Sequence, residues 1–144
     1  MSMSGLKLEI VFCNSVLFKT SFFFGLIHFI AMYLYQETVP RVYCTILTIG
    51  ILTSLWNHGT TSEVAKWGDR LWIALGVLND LYHISIFSYR PNSLIVLSVI
   101  VLAIVCYFRA KFHEGKKDFI SRDFCHASCH MVATAAHVTI IAIL

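Results

Sequence analysis

Residues Arg122 to His137 read R-D-F-C-H-A-S-C-H-M-V-A-T-A-A-H, inside an apolar segment that runs from about Phe119 to Leu144. On a helix His126 and His130 project from one face one turn apart, and His137 continues the stripe. Four-residue spacing of imidazoles is a metal-ligand spacing. Ionisable groups inside a membrane-length segment are costly and are functional by default, so this pair demands partners from the rest of the chain.

The rest of the chain is as apolar as that segment. Of its 144 residues 58% are hydrophobic and 13% charged, and the mean hydropathy is +0.74. A soluble domain of this size has no use for so much apolar surface, so the expected class is an all-α integral membrane protein. At roughly 20 apolar residues per crossing the chain holds about five spans in one helical domain. The expected spans are 12–35, 42–57, 67–87, 93–108 and 119–144. Pro40 stands where the second can start. Arg90-Pro91-Asn92 breaks the chain before the fourth, and the polar stretch Arg109 to Lys117 ends it. A cleaved signal peptide is not expected, because Lys19 interrupts a long apolar region with no small-x-small site after it.

Charge sets the expected orientation. With alternating spans, one side collects Lys7, Lys19, Lys66, Arg70, Arg109, Lys111, Lys116, Lys117 and Arg122, and the other only Arg41 and Arg90. The basic side, which includes the N-terminus, is then cytosolic. No basic run exceeds Lys116-Lys117, so a nucleic-acid partner is not expected. The five cysteines, Cys13, Cys44, Cys106, Cys125 and Cys129, are odd in number and mostly lie within apolar spans, which predicts free thiols. Three residues, not two, separate Cys125 from Cys129, so the c-type haem motif fails. The last span has no lysine for a retinal Schiff base.

The same alternation brings further polar residues to the level of the histidine pair. His58 ends the second span, Asp69 lies near the start of the third, and both approach the membrane face of His126 and His130. Gly50, Ser54 and His58 form one stripe, and Asp69, Asp80 and His83 another. Asp80, His83 and His137 are expected to form a structural polar network toward the far side, and His28 to be buried packing. For Asp69 to meet His58 in depth, the chain needs an irregular turn from Gly59 to about Val64, with regular helix from about Ala65.

These residues carry a resemblance. Ser54-Leu55-Trp56-Asn57-His58 is S-x-x-x-H, Asp69 follows eleven residues later, and His126 to His130 is H-x-x-x-H on the last helix. The set resembles the CREST superfamily of transmembrane hydrolases, which groups alkaline ceramidases, the PAQR (adiponectin-type) receptors and GPI-anchor-remodelling lipid hydrolases. The resemblance implies zinc held by His58, His126 and His130, with Ser54 and Asp69 completing the site around its water. It also implies a membrane lipid amide or ester as substrate. Family members typically have seven spans, so this chain reads as a five-span version, and a homo-oligomer is one way to restore the missing walls.

The residues alone support the same chemistry. Three imidazoles and a water make an open zinc site. Asp69 is placed to accept a proton, Ser54 to donate to a developing oxyanion, and Asp123, one turn before His126, to orient that ring. Two other classes stay open: a haem-binding electron-transfer protein, and a receptor or assembly protein with structural zinc.

Overall fold

The computed structural model describes residues 15–86 and 92–144, and within them the chain is helical with no strand. The helices are α1 (Ser15–Leu34), α2 (Arg41–Gly59), α3 (Glu63–Ile86), α4 (Asn92–Gly115) and α5 (Phe119–Ile143). Cys13 and the Arg90-Pro91 part of the predicted breaker lie outside the described residues. Three stretches, Val16–Leu34, Asn92–Gly115 and Phe119–Ile143, are long and apolar enough to cross a membrane. The other two helices carry more polar residues, including Lys66, Asp69, Arg70 and Asp80 on α3.

Local chemistry places the boundaries. Pro40 caps α2 in an extended conformation (φ −57°, ψ 133°), and its carbonyl accepts the first helical bond from the Cys44 N–H. Between α2 and α3 only residues 60–62 are non-helical, a tighter turn than the expected one from Gly59 to Val64. Ser62 explains the early restart: its hydroxyl accepts from the Ala65 N–H at 3.3 Å, a side-chain cap. Glu63 and Lys66 then pair at 3.1 Å across the first turn.

α4 runs about two turns beyond the expected end at Phe108. The residues after Phe108 are polar but good helix formers, and Lys111 pairs with Glu114 at 2.6 Å. Polarity ends the apolar run there without ending the helix. α4 stops in a Schellman arrangement, with the Asp118 N–H on the His113 carbonyl and the Lys117 N–H on the Glu114 carbonyl, both at 3.0 Å. Its left-handed position is held by Lys117 (φ 59°), where glycine is the usual residue. Asp118 at once caps α5, accepting from the Ser121 N–H at 3.2 Å.

α1 packs against α2 and α5, α2 against α3, and α4 against α5, while α3 meets α4 and α5 only sparsely. The order around the bundle is therefore α3, α2, α1, α5, α4, with a loose seam between α3 and α4. Gly25 lets α1 approach α2, since a Cβ there would come within 2.7 Å of Ile51 Cγ2. The packed core, with Tyr43, Leu47, Ile84, Val96, Ile100 and Ile140, gathers at the end where α2 and α4 begin and α3 and α5 finish.

A chain of buried polar groups crosses that end of the bundle. His28 Nδ1 donates to the Phe24 carbonyl at 2.7 Å, and its Nε2 lies 2.8 Å from His137 Nδ1. His137 Nε2 lies 3.0 Å from Asp80 Oδ2, and Asp80 Oδ1 accepts from the Tyr43 hydroxyl at 2.9 Å. Four helices are tied by this path, and His28 belongs to it rather than to apolar packing. His83 sits against the Tyr43 ring, centroids 5.1 Å apart.

Two substitutions test these assignments. Lys117→Gly relieves the left-handed backbone and is expected to stabilise the protein by about 1 kcal/mol. Gly25→Val drives a branched side chain into Ile51 and is expected to destabilise by about 1–3 kcal/mol. Thermal melting of the two variants in detergent, against the wild type, should move in opposite directions.

Candidate metal centre

The end of α2 and the first turns of α5 bring three imidazoles together. His58 is buried in the last turn of α2, while His126 and His130 stand one turn apart on α5. Ligand nitrogens of the three lie within 4.8 Å of one another. Ring centroids are 5.0 Å apart for His58 and His126, 5.4 Å for His58 and His130, and 4.9 Å for His126 and His130. Three histidines in this arrangement could hold a metal ion.

Hydrogen bonding leaves ligand atoms free. His58 Nε2 is buried and has no partner. At His130 the Nδ1 lies 3.2 Å from Thr20 Oγ1, and that hydroxyl gives its one hydrogen to the Leu17 carbonyl at 3.0 Å. With that hydrogen engaged, Thr20 can accept from a protonated His130 Nδ1, the tautomer that leaves the Nε2 lone pair for a ligand. Ser21 Oγ is also near Nδ1, at 3.4 Å. Fixing the tautomer through the other ring nitrogen is how metal histidines are oriented.

Asp69 lies beside the cluster on α3, 3% exposed. Its Oδ2 accepts from Asn57 Nδ2 at 2.8 Å, so residues on either side of the turn at 60–62 do meet in depth. Its Oδ1 is buried without a partner. Two cavities share a wall here. One, of about 230 Å³, runs through the middle of the bundle and is largely apolar. The other, of about 300 Å³, is more polar and is rimmed by Lys66, Arg70, Lys111 and Arg122, which puts the α2–α3 and α4–α5 turns at one end of the bundle. Asp69, Tyr107 and His126 line both.

The remaining expected residues are placed as follows. Ser54 is in the wall of the apolar cavity, its hydroxyl 3.2 Å from Ser21 Oγ. Asp123, one turn before His126, pairs with Arg122 at 2.7 Å. Cys44, Cys106, Cys125 and Cys129 are free thiols. Reading the sequence missed four contributors: Thr20 and Ser21 under His130, Asn57 on Asp69, and Tyr107, whose ring stands edge-on to His126 at 6.2 Å. Thr20-Ser21 was visible only as a polar pair in a phenylalanine-rich span.

Comparison of the chain with protein-family models, with curated proteins and with solved structures finds no match. The site therefore rests on its own geometry. Replacing Thr20 with Val and Ser21 with Ala together removes the support of His130 and is expected to weaken binding of a metal ion roughly 10–100-fold. His130→Ala should abolish it. Chelator competition on purified protein measures the first effect and metal content the second.

Proposed function

We propose that this protein is a zinc-dependent membrane hydrolase that cleaves an amide or ester of a membrane lipid, a five-span relative of the CREST hydrolases. The observation that carries the reading is the position of the three imidazoles and Asp69, with two buried, unpartnered polar atoms, at the junction of an apolar and a polar cavity.

α2 and α3, at 19 and 24 residues, are about 28 and 36 Å long, enough to cross the apolar core beside the three more apolar helices. Their polar side chains turn toward the cavities, so average apolarity understates them. On this reading we take the basic rim as the cytosolic side, in keeping with the excess of Lys and Arg in cytosolic loops, with the metal site toward that side.

Each group has a role. His58, His126 and His130 would hold zinc, with His130 kept in register by Thr20 and Ser21. Zinc in a three-histidine site supplies a water acidified to near-neutral pH and a Lewis acid for a carbonyl. Asp69, fixed through Oδ2 by Asn57, uses Oδ1 to take a proton from the attacking water and return it to the leaving nitrogen or oxygen. Ser54 donates to the oxygen of the tetrahedral centre. Water arrives through the polar cavity, and the hydrocarbon of the substrate lies in the apolar one.

The test is turnover of a panel of lipid amides and esters by purified, zinc-loaded protein. Wild type is expected to hydrolyse at least one class, His126→Ala none, and Asp69→Asn to retain zinc while losing roughly 10²–10⁴-fold in kcat. Folded, zinc-loaded wild type without turnover of any member would instead favour a structural metal. A Soret band without zinc would make the protein a haem carrier.

A further inference from the structure

Two glycines stand in the wall of the apolar cavity, Gly50 on α2 and Gly76 on α3. Gly76 is buried, yet a Cβ added at either would meet no atom within 4 Å. A buried position with empty space at its Cβ faces a cavity, the opposite of Gly25. Gly50 lies one turn before Ser54 and Gly76 one turn before Asp80, so both stand between the histidine cluster and the His28–His137–Asp80 path. The wall around them is apolar, with Ile46, Val77, Ile100 and Ile104.

The two ends of this cavity differ in kind. At the far end both nitrogens of His28, both nitrogens of His137 and both oxygens of Asp80 already have partners. No buried nitrogen or oxygen of these three side chains is left without a partner there, so an apolar terminus suits that end. At the near end Asp69, 3% exposed, keeps an unpartnered Oδ1 beside the imidazoles. The arrangement fits a molecule that is polar at one end and hydrocarbon at the other.

Size decides how much hydrocarbon. The rise from His130 to His137 along α5 is about 10 Å, which a staggered chain advancing about 1.25 Å per carbon, from bonds of about 1.5 Å, covers in roughly eight carbons.

We propose that the cavity is a slot for a hydrocarbon chain of about eight carbons, with its methyl end against His137 and its carbonyl end at Asp69 and the histidines. Gly50 and Gly76 determine its capacity. On the hydrolase reading, on which the position of the carbonyl rests, the substrate presents a medium-chain acyl group as its amide or ester.

The test reads binding apart from turnover. Octanoate and palmitate, each carrying a photoreactive diazirine near the methyl end, are crosslinked to the purified protein in detergent and the labelled residues mapped by mass spectrometry. Octanoate is expected to label the cavity wall around Val77, Ile100 and His137. Gly76→Leu or Gly50→Leu should reduce that labelling at least about tenfold, whereas Gly115→Leu, with open space at the end of α4, should leave it unchanged. In hydrolysis either cavity variant should shift the preferred chain from about eight to fewer carbons, since either glycine stands between the histidine cluster and the His28–His137–Asp80 path. Where a leucine variant does not fold, Gly50→Ala and Gly76→Ala, each adding one methyl to open space, should give a smaller graded loss. Equal labelling of the cavity by palmitate, or octanoate labelling unchanged in the folded cavity variants, overturns the slot. Cavity labelling as expected without hydrolysis sinks the enzyme reading and leaves the slot standing. Hydrolysis without cavity labelling does the reverse.

Discussion

A polar atom taken into an apolar helical bundle must find its partner within the protein, because lipid supplies none. That constraint organises this bundle. Every helix but α4 contributes to the path from His28 through His137 and Asp80 to Tyr43, and the polar stripes of α1, α2, α3 and α5 consequently face one another. The large apolar side chains, among them Phe22, Leu78, Ile95 and Phe124, are exposed on the outside. Hydrophobic packing between helices does not distinguish one rotation of a helix from another when the surroundings are equally apolar. Hydrogen-bonded polar groups do, and they set the register in which His58 meets His126 and His130.

How much of this is legible in the sequence follows from the range of each interaction. His126 and His130 are readable because both lie on one turn of one helix, and His58 and Asp69 because the alternation of spans assigns them to the same end. The ends of α3 and α4 were misjudged because helicity outlasts apolarity where polar helix formers follow an apolar run. Ser62 restarts α3 as a cap, and the residues after Phe108 extend α4 although they are polar. Thr20 is illegible for a different reason. A threonine in an apolar helix commonly bonds a carbonyl one turn back, as Thr20 does with Leu17. That the same oxygen also meets His130, 110 residues away, depends on how α1 lies against α5.

The loose seam between α3 and α4 is a consequence of the same economy. α4 carries no member of the polar path, so it is held mainly by its contacts with α5. Its apolar Ile100, Ala103 and Ile104 instead wall the central cavity. A helix outside that polar path is suited to lining a hydrocarbon space, and the seam where it meets α3 only sparsely borders that space.

The strongest indication of function is an asymmetry along α5. Its far half presents His137, all of whose polar atoms are engaged, and its near half presents His126 and His130 to His58. Three buried side-chain atoms among the described residues lack partners: His58 Nε2, Asp69 Oδ1 and Asn79 Nδ2. Two of the three are at the histidine cluster. An unmet donor or acceptor costs roughly 1–3 kcal/mol in a protein interior, so the cluster destabilises a fold that elsewhere meets the same demand in full at His28, His137 and Asp80. A bundle able to satisfy three imidazole and carboxylate groups at one end had the means to do so at the other. The atoms left open there, with Thr20 and Asn57 each fixing the opposite side of a ring or carboxylate, are those that a metal ion and a reacting carbonyl would use.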